Sequence, residues 1–193
     1  MIGQFVKLFI LFFVIFDPFV GLGVFTASTK GMKEKERNHI ALLSVLVAGA
    51  ISGVFLVFGF SVLSVLNTTL EDFRIAGGIV LFVLGLEMVL GLTGRRMKEL
   101  KRDSGAAIAA IIATPLLTGP AAITAIILSV TEYGMLLTGS AVATVLLIAY
   151  VLFLYSHVIY RTSGPITLQV LSTLLGLVTL SWGIRFIRLG FGI

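Results

Sequence analysis

Residues 106–130 run for twenty-five positions without a charge. That is more than the roughly 20 residues a helix needs to cross the hydrocarbon core of a bilayer. The centre of the run nevertheless reads Thr114-Pro115-Leu116-Leu117-Thr118-Gly119-Pro120. Each proline lacks an N–H and clashes with the carbonyl one turn back, while glycine adopts backbone angles closed to other residues. Carbonyls freed in hydrocarbon find no water, so broken backbone persists only inside protein or along a wet cavity. The run therefore predicts a membrane helix interrupted for binding, and other spans must surround it. Proline is ordinary in membrane helices, so a packing kink is the competing reading until a second break is found.

The rest of the chain meets that demand. It has 58% hydrophobic and 12% charged residues, against about 25% charged in soluble domains. An all-helical integral membrane protein is expected, with one transport domain over 1–193. The net charge of +5 lies in short loops between apolar runs, where it sets topology and meets headgroups rather than nucleic acid. The chain has no cysteine and therefore no disulfide framework. The apolar N-terminus is long and carries Asp17 at its centre, so it reads as a retained span, not a signal peptide.

Six spans are expected, at about 5–27, 40–66, 73–92, 106–130, 135–158 and 166–189. A polar turn at Asn67-Thr68-Thr69-Leu70-Glu71-Asp72 starts the third. Short turns are expected at Thr131-Glu132-Tyr133-Gly134 and Arg161-Thr162-Ser163-Gly164-Pro165. Ten of the fourteen Lys and Arg residues follow spans one, three and five. Basic loops stay in the cytoplasm, so both termini are expected outside.

Three spans per half force the halves into opposite orientations. Gly78 and Gly85 recur as Gly176 and Gly183 at an offset of 98, and Pro18 and Pro115 stand 97 apart. The expected architecture is a 3+3 inverted repeat with discontinuous first and fourth helices. Repeat one covers about 1–92, a basic loop about 93–105, and repeat two about 106–193. Inverted repeats with broken helices are a transporter signature.

Half-helices beyond the breaks would present free N–H groups and positive dipole ends near the midplane. Those ends suit a carboxylate, and freed carbonyls suit a cation, so a small amphoteric molecule matches both. The candidate substrate-binding residues are Asp17, Pro18, Gly21, Gly23, Thr114, Thr118, Gly119 and Pro120. The threonines supply hydroxyls, and the glycines permit close backbone approach that favours small substrates. Asp17 is also the ion-coupling candidate, since an intramembrane carboxylate costs about 2.5–3.5 kcal/mol on insertion scales. Its open alternatives are a helix cap, a partner for a substrate ammonium, a sodium ligand and a proton carrier. Glu87 and Arg185 occupy matching repeat positions near opposite boundaries and read as snorkelling side chains. The Gly77-Gly78 pair with Gly85 and Gly91 reads as a close-packing face. His39 and His157 read as interfacial, and Phe25 as a packing residue. No metal-ligand spacing is present, and nothing supports an intramembrane enzyme.

Pro115-Leu116-Leu117-Thr118-Gly119-Pro120-Ala121-Ala122-Ile123, the Asp17-Pro18 step and Ile75-Ala76-Gly77-Gly78-Ile79 together resemble the MarC family of six-span membrane proteins, over nearly the whole chain. The resemblance implies transport of small neutral amino acids, glycine and alanine among them. It places Asp17, Pro18, Thr118, Gly119 and Pro120 on the family's two broken-helix motifs. Gly23 stands where many members have a second proline, Ala121 where a glycine usually follows, and Thr173 near a frequent arginine. The expected function is secondary active transport by alternating access in the cell (plasma or inner) membrane. No cofactor is expected, and H+ or Na+ would be the coupling ion. The alternatives are a channel or facilitator, and an exporter of other small metabolites or drugs.

Overall fold

The computed structural model describes residues 2–65, 67–92, 108–110, 112 and 117–192. Among these residues the chain is entirely helical, without strands. Helix α1 (Ile2–Phe16) stops at Asp17, and α2 (Pro18–Ser28) continues the first span. They are followed by α3 (Glu34–Val65), α4 (Leu70–Val89), α5 (Pro120–Tyr133), α6 (Met135–Leu154) and α7 (Ser156–Gly190). Among the described residues four stretches are long and apolar enough to cross a membrane: Ile2–Ser28, Glu34–Ser61, Met135–Leu154 and Ile166–Gly190. Helix α5 is a shorter apolar helix. Helix α4 has 20 residues but carries Glu71, Asp72 and Arg74 in its first turns. The basic loop expected at 93–105 and the positions Thr114 and Pro115 lie outside the described residues.

Local chemistry sets the helix ends. Thr69 caps α4 in a reciprocal box: Asp72 N–H donates to Thr69 Oγ1 (3.1 Å) and Thr69 N–H to Asp72 Oδ2 (3.3 Å), which satisfies two donors that the first turn cannot. The short turns are shorter than the sequence suggests. Gly134 alone, at φ 84°, separates α5 from α6, so Thr131 to Tyr133 stay helical. Gly164, at φ 73°, breaks α7 into two pieces while Arg161 to Ser163 remain helical. Both positions need the left-handed region that glycine enters without a Cβ penalty.

Helices α4 and α7 form the most extensive contact, followed by α3 with α6. The α4–α7 seam is built of glycine. A Cβ on Gly78 would lie 2.7 Å from the Gly183 carbonyl, and one on Gly183 would lie 2.8 Å from the Gly78 carbonyl. Gly85 and Gly176 repeat the arrangement at 2.8 Å and 3.0 Å. Backbones this close leave room for no other residue, the small-residue packing used by helices in lipid. Gly77 turns the other way, and its Cβ would overlap Thr124 Cγ2 on α5. Helices α1 and α2 form the most enclosed of the four apolar stretches, with large side chains such as Phe12, Phe16 and Phe25 inside. Phe25 stacks on Phe153 of α6 at 4.9 Å, which is packing, as its sequence context suggests.

Candidate functional site

Asp17 is the hinge of the first span. It follows about 22 Å of α1 and precedes about 16 Å of α2, at 1.5 Å per residue. Its backbone is left-handed (φ 37°, ψ 71°), and Asn67 is the other non-glycine residue with positive φ among those described. Asp and Asn enter this region most readily because a short polar side chain can bond locally. Here that bond is made: Val20 N–H donates to Asp17 Oδ1 (3.3 Å), capping α2, with Pro18 in its first turn. Gly21 N–H donates to the Asp17 carbonyl (3.1 Å), the first backbone bond of the new helix.

The carboxyl group also reaches across the bundle. Ser172 of α7, itself fully buried, donates its hydroxyl to Asp17 Oδ2. Asp17 is 4% exposed. One side chain thus caps α2 and ties the break to α7. A strained, buried, polar residue in mid-span is where stored backbone energy points to function.

Helix α5 begins in the same style. Gly119 is its N-cap, Pro120 is in its first turn, and Ile123 N–H donates to the Gly119 carbonyl (3.1 Å). Among the described residues Pro120 shares the place of Pro18 at a helix start. The two starts differ in capping: Gly119 has no side chain to cap with, and its φ of −71° is open to any residue. Thr118 is 1% exposed and Pro18 is buried, whereas Gly119 is half-buried and Pro120 exposed. Gly21 is buried, and Gly23 is half-buried with open space where a Cβ would stand.

The chain belongs to the MarC family of integral membrane proteins. The model of that family matches residues 2–192. The chain is 30% identical to a UPF0056 membrane protein of Methanocaldococcus jannaschii, over 95% of this chain and 93% of that one. It is 31% identical to one from Chlamydia pneumoniae, over 97% and 93%. It is also 29% identical to the UPF0056 membrane protein YhcE of Escherichia coli K12, over 95% and 90%. No solved structure matches it.

Within this MarC-family chain, Ser172 is the residue that the sequence reading missed. A signal for it existed: Leu168, Ser172, Gly176, Thr179 and Gly183 recur every three or four residues. Of these, Leu168, Ser172 and Thr179 are core residues, and both glycines face α4. That spacing marks one buried helix face. Arg185 does more than border the membrane. With Lys7, Glu132, Tyr133 and Trp182 it lines a cavity of about 210 Å³ between α1, α5 and α7. Glu87 lies half-buried on α4. Among the described residues no group of acids and histidines could hold a metal ion.

Proposed function

We propose that this chain is a secondary transporter of small neutral amino acids of the glycine and alanine class, residing in the cell membrane with both termini outside. In this reading it works by alternating access between two inverted three-helix halves. The observation that carries the reading is the Asp17-Pro18 interruption: a buried carboxyl group, a new helix start and a cross-bundle hydroxyl meet inside an apolar span. A matching start at Gly119-Pro120 supports it. Further support comes from the pairing of α3 with α6 and of α4 with α7, the latter through Gly78 against Gly183 and Gly85 against Gly176, a reciprocal pattern that a two-fold axis between inverted halves would produce.

A zwitterion fits this chemistry. Its ammonium would meet the Asp17 carboxyl group, and its carboxylate would meet the free N–H groups at a helix start. Thr118 supplies a buried hydroxyl close to the second start. Asp17 would also carry the coupling, as a ligand for sodium or a carrier of the proton. The test is uptake of labelled glycine and alanine into proteoliposomes with proton and sodium gradients imposed separately. Saturable uptake driven by one gradient supports the proposal. Current without saturation indicates a channel, and inhibition by unrelated metabolites but not by glycine indicates an exporter of other cargo.

A further inference from the structure

At the end of the bundle opposite the Arg185 cavity, the α2–α3 loop meets the junction of α6 and α7. A cavity of about 190 Å³ opens there. Its wall includes the basic side chains of Lys30, Arg37 and His157 and no acidic one. Two polar atoms in this wall are buried without a partner: Nε of Arg37 and Oγ of Ser156. Ser156 is 0% exposed. The threonines beside them are already engaged, since Thr26 donates to the Leu22 carbonyl and Thr29 to the Phe25 carbonyl, both at 2.8 Å. The nearby carboxyl groups of Glu34 and Glu36 lie outside the cavity wall, and Glu36 accepts the Lys33 N–H (3.2 Å).

Buried donors left unmade are costly, and here two of them belong to residues that line one space under an excess of positive charge. A group that only accepts hydrogen bonds and carries negative charge satisfies both. The volume is several times the roughly 30 Å³ share of one water, which suits a tetrahedral oxyanion with its nearest waters. We propose that this cavity binds a phosphoryl oxyanion, with Arg37 Nε and Ser156 Oγ as the buried donors, Lys30 as a charge at the mouth and His157 as a further N–H donor beside it. The oxyanion could come from the headgroup of an anionic phospholipid or from free phosphate, since both present the same acceptor oxygens. The inference is independent of what the chain transports.

The test uses the full-length protein in detergent, with phosphatidylglycerol, phosphatidylcholine and inorganic phosphate as separate probes, read by native mass spectrometry and by melting temperature. Retention of phosphatidylglycerol with no response to phosphate assigns a lipid site. A response to both assigns a site for the phosphoryl group itself. A response to neither overturns the proposal and leaves the cavity to water. Arg37→Gln should weaken binding on the order of tenfold, as expected for a charge-assisted bond. Ser156→Ala should weaken it about fivefold while leaving the ligand-free protein as stable as before, because the hydroxyl it removes has no partner. Unchanged affinity in Ser156→Ala would overturn the proposal even if Arg37→Gln fails to fold. Lys35→Gln, exposed on the same segment, should change affinity less than twofold. An equal loss there would mean diffuse attraction rather than a site.

Discussion

Replacing Asp17 by alanine and by asparagine separates what the side chain does as a cap from what it does as an acid. Alanine removes the α2 cap, which is worth about 1 kcal/mol. It also takes the acceptor from the buried Ser172 hydroxyl, a loss of about 1–3 kcal/mol. It further places a residue with no polar side chain at φ 37°, for about 1 kcal/mol more. The sum is about 3–5 kcal/mol. Ser172 can fall back on the carbonyl one turn earlier, as Thr173 does with Gln169 (2.9 Å), and this favours the lower end. Asparagine keeps one side-chain oxygen for Val20 N–H, offers its amide N–H to a Ser172 hydroxyl turned to accept it, and tolerates the left-handed backbone, so it should cost about 1 kcal/mol. Unfolding in mixed micelles, followed by the single tryptophan, Trp182, measures both. Equal losses for the two variants would refute the capping argument. So would an alanine variant as stable as the parent.

Other substitutions read other parts of the structure. Gly85→Ala and Gly183→Ala should each lower stability by about 1–3 kcal/mol, because the new methyl meets backbone within 2.7 Å, whereas Gly23→Ala, with open space around it, should be neutral in the same unfolding assay. Gly134→Ala should cost about 1 kcal/mol or more because φ is 84° there, and melting of the purified variant checks it. Thr118→Val should leave folding intact and raise the KM for glycine uptake if the buried hydroxyl contacts substrate. An unchanged KM would remove Thr118 from the site.

Much of this was legible in the chain because its strongest signals are local. Asp17-Pro18 suits a helix start, since proline lacks the N–H that a continuing helix needs and aspartate supplies a cap. The 98-residue offset among Gly78, Gly85, Gly176 and Gly183 was visible, but which glycine faces which is a tertiary fact: Gly78 meets Gly183, not its repeat partner. Pro18 aligns with Pro115 by offset, and among the described residues Pro120 shares its place at a helix start, a match that sequence spacing alone does not reveal. Ser172 was hidden among several hydroxyls on an apolar span, where only the long-range contact to Asp17 distinguishes it. Arg37 and Ser156 lie 119 positions apart and share no pattern that would join them before folding.

The account rests on the interruption at Asp17 being a substrate site and not only a joint. Counterflow tests this most directly: proteoliposomes loaded with unlabelled glycine are diluted into labelled glycine, for the parent and for Asp17→Asn. The parent should accumulate label transiently above equilibrium, and Asp17→Asn, still folded, should lose this overshoot. An overshoot of the same size in both proteins, or none in the parent under either ion gradient, would contradict the account.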